Sequence, residues 1–136
     1  VKRLVIVLFI LAGIIAVCLY SLHRVGEVKA RIHAYGDTLS TAIKEEDGDA
    51  ARRAATALAE YWQEEQQWMI VFFRHVEVDS ISSAVARLTA FADAEEYSDL
   101  DAELRTILWQ IDHIWRSEQV RVRSILYFAP ISGRVE

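Results

Sequence analysis

The residue types that could support chemistry stand close together once in this sequence, at His75, Glu77 and Asp79. A histidine and two carboxylates are the raw material of a metal site or of acid–base work. On a helix His75 and Asp79, four residues apart, share a face, whereas Glu77 points elsewhere. Two converging ligands, with no second histidine or cysteine beside them, fall short of the three or four groups that zinc takes. A hairpin turn near Glu96 would set residue i against roughly 192 minus i in an antiparallel helix pair. That register puts Glu118 beside His75 and His113 beside Asp79. His75, Asp79, His113 and Glu118 are then two facing histidine–carboxylate pairs on otherwise apolar stripes. They read first as a buried or half-buried polar network that fixes helix register. Contact with a ligand or partner is the second reading, and a metal site the third.

Other catalytic patterns are missing. There is no Ser, His and Asp order, no Gly-rich phosphate loop, no CxxC pair and no nucleophile elbow. His23, His33, His75 and His113 are too scattered for acid–base catalysis, so no catalytic residue, cofactor site or metal ligand is assigned and no enzyme is expected. Trp62, Trp68, Trp109 and Trp115 read as core and hairpin-seam packing rather than an aromatic cage. Glu60, Glu64 and Glu65 read as a solvated helix edge. Arg121 and Arg123 beside Ile125, Leu126, Tyr127 and Phe128 fit contact with a membrane surface or partner helix as well as they fit a last core turn.

Helices must hold these residues. Val25, Val28, Ile32, Tyr35, Leu39 and Ala42 alternate three and four apart, which predicts a helix from about Arg24 to Glu46, continuous with the preceding segment or separate from it. Gly26 and Gly36 are its weak points. Between Glu45 and Asp49, Gly48 reads as a helix stop and Asp49 as the next N-cap. A second helix from near Ala50 carries Leu58, Tyr61, Trp62, Trp68, Met69, Phe72, His75, Val76 and Asp79 inward. The stripe resumes in shifted phase at Val78, Ile81, Val85, Leu88 and Phe91, so a kink at Val78 to Ser80 and one continuous helix to Ala94 both fit. Ser98 with Asp101 resembles a capping box opening a last helix through Leu100, Leu104, Ile107, Leu108, Ile111, Ile114, Glu118, Val122 and Ile125 to about Phe128. Pro130 and Gly133 end it.

The first residues differ in kind. From Leu4 to Leu22 the chain carries no charge, and these 19 residues span about 28 Å as a helix, close to the roughly 30 Å of bilayer hydrocarbon. The run is longer than a signal-peptide core and no small-x-small site follows it, so an uncleaved anchor is expected. Val17 before Cys18 is β-branched where lipidation wants a small residue, which makes Cys18 an inert thiol. Lys2 and Arg3 on one side and Arg24, Lys29 and Arg31 on the other nearly tie the positive-inside count. A short basic start and a large downstream domain, which translocates largely regardless of charge, favour a domain outside the cytoplasm. A valine start codon read literally accounts for Val1 and makes the chain full length. Removing Lys2 and Arg3 leaves 13 basic against 20 acidic side chains, a poor match to nucleic acid. One cysteine excludes an internal disulfide.

The expected fold is therefore all-α: an N-terminal transmembrane helix followed by an antiparallel bundle of three or four helices. Residues 1–23 are the anchor, 24–128 the bundle and 129–136 a short tail.

The order WQEEQQWMIVFFRHVEVDSISSAVARL from Trp62, followed by AELRTILWQIDHIWRSEQVRVRSIL from Ala102, resembles an uncharacterised family of small bacterial membrane proteins, domain of unknown function 4363. Its most specific part is Trp62 thirteen residues before the run His75, Glu77, Asp79, Ile81; further matches are Arg87 with Leu88, Ile114, Glu118, and Ile125 with Leu126. Ser124 stands where the resemblance implies asparagine. The family, mainly of spore-forming and related Gram-positive bacteria, implies the same topology and no chemistry.

The functional expectation is a non-enzymatic, membrane-anchored module in a cell membrane, touching the bilayer and a membrane or envelope protein. The rivals are a small-ligand-sensing or ligand-binding bundle acting through a partner, and a secreted helical domain released by signal cleavage. The polar cluster generates a first test. The purified domain 24–136 is expected to carry no stoichiometric zinc or iron, and chelators should leave its Tm unchanged; a drop of several degrees would reinstate the metal reading.

Overall fold

The computed structural model describes residues 1–128, so the tail 129–136, with the stop assigned to Pro130 and Gly133, lies outside the described residues. These residues form four helices and no strand: α1 (Lys2–Lys44), α2 (Gly48–Phe72), α3 (His75–Ala94) and α4 (Tyr97–Phe128). α1 is unbroken over 43 residues. It is long and apolar enough to cross a membrane. Its first twenty residues are exposed apart from the half-buried Ile15 and Cys18, and its buried stripe begins at Ser21 and continues through Val25, Val28, Ile32, Gly36, Leu39 and Ala42. The first helix therefore joins the apolar segment to the bundle with no linker between them.

Short turns make every neighbouring pair antiparallel. α1 packs on α2 and α4, and α3 packs on α2 and α4, with no contact across either diagonal. The core is one cluster fed by all four helices, with Ile32, Leu58, Trp62, Ile81, Leu88 and Ile107 among its fully buried side chains. Apolar area of this kind contributes roughly 1.5–3 kcal/mol per large side chain. Polar groups fix the register between helices. The Trp62 indole N–H donates to Ser82 Oγ at 2.9 Å, and that hydroxyl lies 3.0 Å from Gln66 Oε1, pinning α2 to α3. Between α1 and α4, Asp112 accepts from His33 at 2.9 Å and pairs with Lys29 at 3.3 Å. Partial burial opposes charge on Asp112, but His33 and Lys29 outweigh it and hold the carboxyl below its ordinary value.

The turns depart from the sequence expectation in specific ways. Between α1 and α2 the left-handed residue is Glu46 (φ 51°), and the N-cap is Asp47, whose carboxylate accepts from the Ala50 N–H at 2.9 Å. Gly48 lies inside α2, and no glycine among the described residues has positive φ. A Cβ there would come within 2.6 Å only of the Glu95 carboxylate, the free end of an exposed side chain that can swing aside. The second break falls at Phe73 and Arg74, both extended, five residues before the expected Val78 to Ser80. Met69 and Phe73 are buried four apart and Val78 and Ile81 three apart, but Phe73 to Val78 is five, a rotation of about 140° that no single stripe can absorb. α4 starts at Tyr97, so Ser98 lies within the helix rather than capping it. The Tyr97 hydroxyl donates to the Glu46 carbonyl at 3.0 Å and ties the two distal turns together.

Gly26 and Gly36 prove to be seats for α4 rather than weak points. A Cβ at Gly26 would lie 3.1 Å from the Trp115 ring, and one at Gly36 would lie 3.2 Å from Leu108 and 3.4 Å from Leu104. Gly36→Leu should therefore force both leucines aside and lower stability by about 1–3 kcal/mol. Gly13→Leu, where nothing lies within 4 Å, should leave the melting curve in place. Equal melting of the two variants in detergent would show that α4 does not sit against Gly36.

Candidate functional site

The four residues singled out as facing pairs do not pair. His75 is the first residue of α3 and is exposed, as are Asp79 and His113; only Glu118 is buried, at 4% exposure. Two contacts give the α3–α4 register. Gln110 Nε2 donates to Ser80 Oγ at 2.7 Å, and Arg87 donates to Glu103 at 2.6 Å, so partner numbers add to 190 rather than 192. A slip of two residues turns a helix position by roughly 200°. His75, at the helix start, and Asp79 lie off the buried α3 stripe of Val78, Ile81, Val85 and Leu88 and face solvent. Glu77, set aside on the sequence, is half-buried and shares two cavities with His113.

Glu118 faces α1 instead. Ser21 Oγ donates to its Oε1 at 3.4 Å, a long bond across 97 residues of chain. Arg121 Nη1 lies 3.2 Å from Oε2 as an ion pair, although that oxygen accepts no hydrogen bond. A carboxylate this buried needs such compensation, since an unpaired buried charge costs several kcal/mol.

Together these residues shape a groove along the outer α3–α4 face. Its upper part, about 240 Å³, is lined by Val76, Glu77, Ser80, Trp109, Gln110, His113 and Ile114. Its lower part, about 300 Å³, adds Phe73, Arg74, Ser117, Glu118 and Arg121. Trp109 is 61% exposed and stacks on the His113 ring at 5.5 Å between centroids. The expectation that all four tryptophans pack inward thus fails at Trp109; Trp62 is buried, while Trp68 and Trp115 are half-buried against the core. Gln110 Oε1 and Glu118 Oε2 are buried acceptors without a hydrogen-bond donor. A group seated in the groove would meet them best through N–H or O–H. Among the described residues no three His, Cys, Asp or Glu side chains converge as a metal site would require.

The sequence features missed here were Glu77, Gln110, Trp109 and Ser21. Each depended on register, which hydrophobic periodicity leaves uncertain by a residue or two.

Residues 19–125, spanning the last turn of the apolar segment, the whole bundle and the Ser21–Glu118 contact, match the model of the domain of unknown function family DUF4363. The chain belongs to this family. No curated protein and no solved structure matches it. The DUF4363 match includes every groove residue named above and omits most of the apolar run, so it follows the packed bundle rather than the exposed start of α1.

Two mutant cycles separate the observed pairing from the discarded one. Thermal melts of Ser21→Ala, Glu118→Gln and the double variant should give a coupling of about 0.5–1 kcal/mol. The cycle for His75→Ala and Glu118→Gln should fall within about 0.3 kcal/mol of zero, the scatter of independent sites. The reverse pattern would restore the register of 192.

Proposed function

We propose that this DUF4363 chain is a membrane-anchored, non-enzymatic interaction module, with α1 crossing the membrane and the bundle outside the cytoplasm offering its α3–α4 groove to a membrane or envelope protein. The observation that carries this reading is the continuity of α1. One helix is both the exposed apolar segment and a wall of the bundle, so the groove is held at a fixed height and orientation. An exposed Trp beside an apolar depression with buried acceptors has the composition of an interface anchor. A downstream domain of this length translocates largely regardless of its charge, in keeping with the outward placement. The second reading is a ligand-binding bundle that signals through a partner. It is favoured by the lower cavity of about 300 Å³, where Glu77, His113 and Glu118 meet Arg74 and Arg121.

A reporter fused after Glu136 should behave as extracytoplasmic, and intact mass from the membrane fraction should retain the apolar segment. A photo-crosslinking residue at Trp109 should capture a membrane protein from native membranes, whereas the same residue at Thr41 should not. Trp109→Ala should weaken that association about tenfold or more. Equal capture from both positions would remove the groove from the interface, and a cytoplasm-only reporter signal would reverse the topology.

A further inference from the structure

Exposed apolar side chains on the bundle are concentrated at one end. Beyond the first twenty residues, the large hydrophobics exposed among the described residues are Ile70, Val71, Val76, Trp109, Val120, Leu126 and Tyr127. All except Trp109 lie at the end where α1 enters. Ile70, Val71 and Val76 flank the α2–α3 turn, with Val71 74% and Val76 78% exposed. Phe73 and Arg74 share a cavity with Glu118, and Glu118 contacts Ser21, so this turn is level with the end of the apolar run. Behind it Trp68 packs at a tilt against Phe72, 5.0 Å between centroids, and lies under the Arg24 guanidinium at 5.6 Å. Trp beside Arg is a pairing suited to a membrane–water boundary.

α4 goes further. From Glu118 it continues to Phe128, with Tyr127 about 13 Å past the Ser21 contact at helical rise. Its inner stripe continues through Val122, buried, and Ile125, half-buried, while the stripe of α1 continues back through the half-buried Cys18 and Ile15. The outward side chains on this stretch are Leu126, 46% exposed, and Tyr127, 72% exposed.

Charge divides along the same axis. The distal turns carry Glu45, Glu46 and Asp47 on one side and Glu95, Glu96 and Asp99 on the other, all exposed. The near end exposes Arg74, His75, Arg121 and Arg123; of its carboxylates Glu118 is buried, Glu77 and Glu65 are half-buried, and the exposed Glu27 is ion-paired with Arg24 at 3.1 Å. An end that is apolar at its tip and ringed by arginine complements a phospholipid surface, with guanidinium groups at phosphate depth and hydrophobic side chains beneath them. The acidic end is repelled from the same surface.

We propose that this end of the bundle is itself a membrane-contacting surface: the α2–α3 turn through Ile70, Val71 and Val76 sits in the headgroup region of the bilayer that α1 crosses, and the last turns of α4 carry Leu126 and Tyr127 below it into the hydrocarbon, alongside α1 near Ile15. The proposal rests on the reading of α1 as a membrane span. It makes the domain a bundle seated in the interface rather than one held clear of it.

The experiment uses the full chain carrying Cys18→Ala, with single cysteines introduced by Ile10→Cys, Val71→Cys, Tyr127→Cys or Ser98→Cys. Each is labelled with an environment-sensitive fluorophore and reconstituted in vesicles of phosphatidylcholine and phosphatidylglycerol containing lipids with a quencher at a defined depth. The label at 10 should be quenched by deep quenchers. The label at 71 should shift to the blue and lose emission to shallow quenchers, the label at 127 should shift to the blue and lose emission to deeper ones, and the label at 98 should do neither. Quenching at 10 with labels at 71 and 127 as unquenched as at 98 overturns the proposal while leaving the span intact, and includes the case in which a protein covers the tip. No quenching at 10 removes the span and the proposal together.

Discussion

Everything in this fold follows from a helix that leaves its apolar segment at Ser21 without breaking. Because α1 continues straight on to Lys44, its apolar stripe from Val25 to Ala42 has one orientation, set by the segment before it. The other three helices must build their core against that stripe. The consequence is most severe for α4, which packs along α1 over its whole bundle length and meets it at two glycines ten residues apart. Trp115 and Leu108 occupy the space a side chain would take at Gly26 and Gly36, so helix propensity is traded for close approach. Polar contacts bracket this seam, with Ser21 and Glu118 at one end, His33, Lys29 and Asp112 in the middle, and Tyr97 on the Glu46 carbonyl at the other.

How much of this was legible depended on the type of signal. The periodicities of α1 and α4 gave their helices to within a few residues, because stripes such as Val25–Val28–Ile32 and Ile107–Ile111–Ile114 belong to long amphipathic elements. The break between α2 and α3 was visible as a phase shift. It was placed late because the chain turns at Phe73 and Arg74 without glycine or proline, and the connection is closed by apolar burial on either side. The turn at Glu46 was misread for a related reason. A non-glycine residue took the left-handed conformation, and the glycine two residues later entered the first turn of α2.

The candidate site was less legible than the fold because it depends on register to a single residue. The sequence named Glu118 and His113, both of which line the groove, but gave them the wrong partners. Two residues of slip exchanged Glu77 for Asp79 as the inward carboxylate and left His75 at a helix start facing solvent. No local feature could correct this. The contacts that set the register, Ser80 with Gln110 and Arg87 with Glu103, pair residues 30 and 16 positions apart whose neighbours look equally suitable.

The groove has a direction as well as a composition. Trp109, His113 and Glu118 succeed one another along one helix, so the depression they line runs parallel to the bundle axis. At its lower end Glu118 contacts Ser21, the last small residue of the apolar run. At its upper end Trp109 lies nine residues and about 14 Å farther along α4. Neither α1 nor α2 obstructs this face, since α3 and α4 line it and the other two helices pack behind them. A partner filling the whole depression, from Trp109 to Arg121, must therefore extend parallel to the bundle axis for about three helical turns. If α1 crosses a bilayer as proposed, a helix leaving that bilayer next to it is oriented for that path, whereas a soluble globular partner arriving from the distal end meets the acidic turns first.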